Sequence, residues 1–404
     1  MTVSRRIPGI GDPTLLALIV LLTALGIAMI YSAGQVGIRS LATGIWLRQL
    51  TWFAVAIVVL AVTSRFSIRF LEWLAPLAYA ASILLLLLVL VIGTGPSGSW
   101  LELGPARVQP AEVAKLATIL MLARVLGGDR GGYDRLVMLW KPLLLVVIPL
   151  GLVLRQPDLG SALVFAVILI AALFWASVPL FRIFLLVTPG VGLLLGFNWI
   201  VWGGWFLIVA TCLYIDRPYL PDSVGVLLAN AAAGALTLPV WNSLADYQRN
   251  RLLVFLDPEI DPLGSGWQLV QSKVAVGSGG LLGAGFAQGP QKRLAFLPEQ
   301  HTDFIFSVVA EELGFAGVAV FLVLFALLLY RVLQTAVDTE DDFGGSVAFC
   351  VFAVLFAHLA VNLGMTIGML PITGLPLPLV SYGGSFLVVL YAGFGMVQRV
   401  AWEK

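Results

Sequence analysis

The chain has 404 residues, of which 60% are hydrophobic and only 11% charged, and its mean hydropathy is +1.00. Repeated apolar runs of about 17 to 25 residues, each able to cross a hydrocarbon core of roughly 30 Å, exclude a water-soluble domain and predict an all-α polytopic membrane protein. The formal net charge of +1, with no basic arm and no long run of like charge, gives no sign of nucleic acid or another polyanion as partner.

In chain order, the first apolar run starts near Leu15. It is too long for a cleaved signal peptide and lacks a small-residue cleavage site, so it reads as a retained span. The runs predict helices over 13–34, 46–64, 70–93, 108–127, 137–155 and 159–177. Three more, over 180–197, 198–215 and 223–241, are separated only by Asn198 and by the turn-like Asp216-Arg217-Pro218. A polar stretch over 242–302 follows, then spans over 303–333, 344–370 and 384–402. The expectation is a bundle of about 10 to 12 transmembrane helices with a large extracytoplasmic loop, in a single membrane domain over 1–404. Cys212 and Cys350 fall inside apolar runs and read as structural thiols.

Orientation follows from cations in the short connections. With alternating spans, Arg5, Arg6, Arg65, Arg69, Arg124, Arg130, Arg135, Lys141, Arg182, Arg217, Arg331, Arg399 and Lys404 share one side. The opposite short connections hold only Arg39, Arg48, Arg107 and Arg155. Both termini are therefore expected in the cytoplasm, with the 242–302 loop outside.

That loop carries a large excess of ionisable side chains for so apolar a chain, so the active site is expected there. Asp257 and Asp261 are each followed by proline, which biases them toward extended or turn geometry, and Glu259 lies between them. Glu299, His301 and Asp303 stand where the loop re-enters the membrane, and a structural role at the loop base is expected for His301 and Asp303. With His358 deep in a later span, the two histidines make a poor metal pair. The glycine-rich GSGGLLGAGF lacks a phosphate-loop lysine and reads as flexible backbone allowing close approach.

Ionisable residues at membrane depth are functional candidates. Lys115 lies three residues after Glu112, so the two share a helical face. The pair either staples the helix or presents an ammonium to a phosphate in an outward-open cavity. Asp158 stands at a helix start, where a carboxylate is favoured by the macrodipole or serves the site. Of Glu311 and Glu312, two turns inside their span, at least one is expected to face a polar cavity. PLPLVSYGGS reads as a broken re-entrant turn in which Ser381 and Tyr382 close the site.

Five stretches taken together resemble the SEDS family: QPAEVAKL, RQPDLGSA, FLDPEIDPLGSGWQLVQSKVAVGSGGLLGAGF, FLPEQHTDFIFSVVAEELGF and NLGMTIGMLPITGLPLPLVSYGGS. The HTDFIFSVVAEELGF wording is closer to the RodA (elongation) branch than to the FtsW (division) branch. The resemblance implies a peptidoglycan glycosyltransferase that polymerises lipid II at the outer face of the bacterial cytoplasmic membrane. Its implied partners are a class B penicillin-binding protein that crosslinks the strands and other elongation-complex membrane proteins. It favours Asp261, in DPLGSG, as general base over Asp257. Lys115, Glu112, Arg107, Asp158, Trp100, Lys273, Gln268 and Ser381 are carried over as substrate-binding. Family members usually have ten spans, so 180–222 is expected to hold an extra helical pair. The basic residue often found beside the family's Trp is missing from GPSGSWLELGPARVQP, where Arg107 is the substitute.

The chemistry stands without the family. Joining a sugar hydroxyl to an anomeric carbon bearing a diphosphate needs one base and cations for the leaving group, but no strong acid. Lys115, Arg107 and Lys273 could balance the diphosphate, Lys273 being equally readable as a solvated loop cation. A divalent cation, Mg or Mn, held by Asp158 and Asp261 could do the same. The competing reading is a transporter that flips lipid-linked precursors, which broken helices and midplane charges would also serve. A serine protease is disfavoured because no histidine pairs with Ser381.

Overall fold

A computed structural model of the chain describes residues 11–35, 44–95, 98–104, 106–127, 132–133, 135–262, 264–293 and 299–404. Arg5, Arg6, Arg39 and Arg130, counted in the charge pattern, lie outside the described residues. The helices are α1 (Pro13–Ala33), α2 (Ile45–Thr63), α3 (Ile68–Ile92), α4 (Pro110–Leu126), α5 (Trp140–Arg155), α6 (Leu159–Trp175), α7 (Leu180–Leu195), α8 (Trp199–Asp216) and α9 (Leu220–Ser243). The loop region holds α10 (Asp246–Leu256), a 3-10 turn Pro258–Ile260, α11 (Ser265–Ser278) and the short α12 (Pro290–Arg293). The last three spans are α13 (Ile305–Asp338), α14 (Asp342–Thr366) and α15 (Gly384–Glu403).

Nine helices are long and apolar enough to cross a membrane, and α4 with the shorter apolar α6 and α7 makes twelve among the described residues. Their starts are written locally. Asp12, Ser67, Asp158, Asn198 and Asp341 each accept backbone N–H groups of the helix they precede, satisfying donors that lipid could not. One departure from all-helical expectation is a small antiparallel hairpin of β1 (Leu101–Leu103) and β2 (Ala106–Val108), just before α4.

Two apolar cores share α14. One joins it to α3, α4, α5 and α6, the other to α1, α2, α13 and α15. Helices α7, α8 and α9 pack mainly on each other around Leu185, Val209, Leu213 and Val226, a third small cluster beside the bundle. Polar ties at the face away from the loop hold that cluster: Arg182 pairs with Asp216 at 3.2 Å, and Asp222 accepts from the Leu136 N–H at 3.0 Å.

Helix α13 is not one rod. At Gly314 the backbone turns to φ 63°, ψ −170°, splitting off an upper half-helix that ends beside Glu311 and Glu312. The glycine-rich segment after α11 fills the break. Phe315 and Ala316 donate to the carbonyls of Gly280 and Leu281 at 2.8 and 3.0 Å, while Ala284 and Gly285 donate to those of Glu311 and Glu312 at 2.9 and 3.0 Å. Backbone groups beside the break are thereby satisfied by protein, as non-helical backbone in a membrane protein requires where water does not reach it. The glycines are required by contact: a Cβ on Gly314 would stand 2.2 Å from the Gly283 nitrogen. This segment is a strap with fixed partners rather than free backbone.

Candidate active site

Asp261 is shaped by its own motif. Asp257, in extended geometry, caps the 3-10 turn by accepting from Glu259 N at 3.0 Å, and the turn delivers Asp261 just before α11. The Asp261 carboxylate accepts from Ser265 N at 2.9 Å, while its carbonyl takes the N–H groups of Gly264 and Gly266. The glycines are needed because a Cβ on Gly264 would press on that carboxylate at 2.3 Å, and one on Gly266 would meet the Pro258 carbonyl at 2.2 Å. Asp261 is half-buried, and its Oδ1 has no hydrogen-bond partner among the described residues. Asp257, by contrast, is exposed.

Platform α10 rests on the turn between α5 and α6. Tyr247 and Gln248 both donate to the Pro157 carbonyl, and Arg249 donates to that of Trp241 at 2.9 Å. Burial raises the Tyr247 phenol, with Arg251 opposing and Asp158 reinforcing, so it stays a donor. Asp158 accepts from Ser161 N at 2.9 Å and from Gln109 Nε2 at 2.8 Å, so both its oxygens are engaged. Asp303 lies close by. Burial pushes its carboxyl up to about 6, Arg251 pulling it down while Glu299 and Asp158 push it further up. Arg251 Nη1 and Asp303 Oδ2 stand 3.3 and 3.4 Å from where a Cβ on Gly374 would be, so the two charges face one gap.

Lys115 and Glu112 form the pair their spacing predicts, Nζ to Oε1 at 2.7 Å, with side chains only 4% and 6% exposed. They line a cavity of about 30 Å³ together with Leu116, Ile119, Val354, Phe386 and Leu390 between α4, α14 and α15. Asp158 is near enough for its charge to act on Glu112. The structure thus gathers Glu112, Lys115, Asp158 and Asp303 with Glu299 of the loop base, and adds Gln109, Tyr247 and Arg251, to which the sequence alone attached no role. A glutamine ahead of a helix-starting proline, in QPAE, was the signal available for Gln109.

The other candidates have surroundings of their own. Arg107 is an exposed hairpin residue paired with Glu102 at 3.0 Å, and Trp100 pairs by backbone with Thr94 beneath it. Lys273 is exposed on α11, its stem against Gly368, and Gln268 lies on the same helix, half-buried. The Ser381 hydroxyl donates to the Thr302 carbonyl at 2.6 Å and accepts from Leu377 N at 2.8 Å, tying the irregular 371–383 segment to the loop base. His301 contributes there through its carbonyl, which accepts from Tyr382 N at 2.9 Å, and burial lowers its imidazole. Among the described residues no three His, Cys, Asp or Glu side chains converge as a metal cage. Asp158 and Asp261, the pair expected to share a cation, each accept a backbone N–H of a separate helix start.

A family model for the cell cycle proteins FtsW, RodA and SpoVE matches residues 13–404. The chain belongs to this family. Peptidoglycan glycosyltransferase MrdB of Escherichia coli (strain K12) is 38% identical, over 96% of this chain and 93% of that protein. Peptidoglycan glycosyltransferase RodA of Treponema pallidum (strain Nichols) is 34% identical over 98% and 99%. A chain solved in a study of how a peptidoglycan synthase complex coordinates polymerization and crosslinking superposes with a TM-score of 0.68 at 34% identity, covering 97% of this chain and 98% of that one. The chain is thus a RodA-like SEDS protein, in agreement with its motifs, and a polytopic helical membrane protein.

Proposed function

We propose that this SEDS protein is a peptidoglycan glycosyltransferase that polymerises lipid II at the outer face of the bacterial cytoplasmic membrane during elongation. The observation that carries the reading is the presentation of Asp261: one carboxylate, fixed through Oδ2 by the Ser265 N–H, with Oδ1 left for a substrate proton. In this scheme Oδ1 takes the proton of the acceptor 4-hydroxyl as that oxygen bonds the anomeric carbon. The carbon–oxygen bond to the diphosphate breaks, its electron pair leaves with the lipid diphosphate, and the anomeric centre inverts. A diphosphate leaves without a strong acid, so the single carboxylate suffices where glycosidases need two.

Cations on the membrane side of the loop meet the leaving charge. Lys115 is already held by Glu112, so a phosphate would share that ammonium, and Lys273 on α11 offers a second. Both termini are cytoplasmic in this reading, as the cation asymmetry requires. A class B penicillin-binding protein crosslinks the strands as they form, and other elongation-complex membrane proteins join the assembly. Asp261→Asn and Asp257→Asn test the base directly in a lipid II polymerisation assay with equal amounts of folded protein. The first is expected to lose on the order of 10²-fold or more in rate and the second less than about tenfold; the reverse order would assign the base to Asp257.

A further inference from the structure

A fully buried lysine lies outside the chemistry described so far. Lys292 on α12 is 0% exposed, ion-paired with Glu312 at the end of the upper half of α13, and its Nζ donates to Ser32 Oγ of α1 at 2.8 Å. Ser32 donates in turn to Glu312 at 2.6 Å, and Ala287 N reaches the same carboxylate at 3.1 Å. Next to it, Glu311 accepts from Gln291 N at 2.7 Å. Three segments are thus tied at one point, just above the Gly314 break.

The upper half-helix reaches from that point to the reaction loop. Ser307, on its first turn and buried, shares a 2.7 Å hydrogen bond with Ser272 of α11, which also donates to the Thr366 carbonyl at 2.7 Å. Helix α11 begins at Ser265, whose backbone N–H donates to the Asp261 carboxylate. We infer that Lys292 is a positioning residue: by clamping the upper half of α13 to α1, it sets, through Ser307 and Ser272, where α11 holds Asp261. Because α13 is broken at Gly314, the upper half-helix takes its position from the strap and from this clamp rather than from the rest of α13, so loosening the clamp shifts the carboxylate, and displacement of about 1 Å is enough to lower the chemical step by up to roughly 10²-fold.

This inference rests on the glycosyltransferase reading, and its test separates the two. Removing the lysine alone would strand a buried carboxylate, so the informative variant removes both charges, Lys292→Met with Glu312→Gln, which is far less disruptive than breaking the pair. The full chain with its class B penicillin-binding protein is assayed on lipid II for kcat and KM, with and without Ser272→Ala, and with Lys292→Arg as the conservative variant. The expected result is a kcat lowered about tenfold or more with KM within about twofold, partial recovery in Lys292→Arg, and little further loss when Ser272→Ala is added. A neutral pair that keeps wild-type kcat, a loss confined to KM, or fully independent effects of Lys292 and Ser272 would overturn it. A wild-type complex that makes no polymer instead removes the glycosyltransferase reading, and this inference with it.

Discussion

At the scale of single residues, polar side chains in this apolar chain are distinguished by what is left over after the fold has used them. Asp158 and Ser381 have every hydrogen-bonding position described engaged in capping or bridging, whereas Asp261 keeps one oxygen unpartnered. Asp303 is held near burial with its carboxyl raised to about 6. A raised carboxyl binds its proton more tightly folded than unfolded, so stability is lost as pH climbs from the ordinary carboxylate range through 6. Asp303→Asn, which fixes the neutral form, is therefore expected to raise the thermal midpoint at about pH 7.5 and leave it nearly unchanged at about pH 4.5. An equal shift at both pH values would mean that the ionised form is not disfavoured. The Lys115–Glu112 pair was legible because three residues along a helix fix a distance. Arg251 and Lys292 were not, since what each faces depends on segments brought together only by the fold.

Among the elements, span positions were readable to within a few residues because apolar runs and side-chain caps coincide. The run over 198–215 appears as α8, opened by Asn198, and the pair of runs before the loop appears with it as a three-helix cluster. The break in α13 was hidden. Gly314 follows Glu311 and Glu312 in a helix whose sequence carries no proline, and what makes its left-handed backbone tolerable is a segment some thirty positions earlier that supplies the missing partners. Gly314→Ala combines a strained φ with a backbone collision 2.2 Å away at Gly283. It should lower stability by about 2 to 4 kcal/mol, read as a drop in thermal midpoint of the detergent-solubilised protein. A midpoint within about a degree of wild type would mean the strap does not hold the break. The same reasoning explains the glycines of GSGGLLGAGF: close backbone approach was expected of them, but the object approached is α13.

For the molecule as a whole, two cores sharing α14 form a scaffold on which the platform of α10 and α11 is strapped at several points. Pro157 lies under α10, Ser307 and the Thr366 carbonyl under α11, and Lys292 under the strap. Such anchoring suits a reaction centre, which must hold one geometry, more than a transporter, which must pass between two. The most direct test of the account is the fate of purified lipid II given to the wild-type protein with its class B penicillin-binding protein. Glycan strands growing as lipid diphosphate is released is the predicted result. No polymer, together with translocation of lipid II across reconstituted vesicles, would contradict it and leave the chain a carrier.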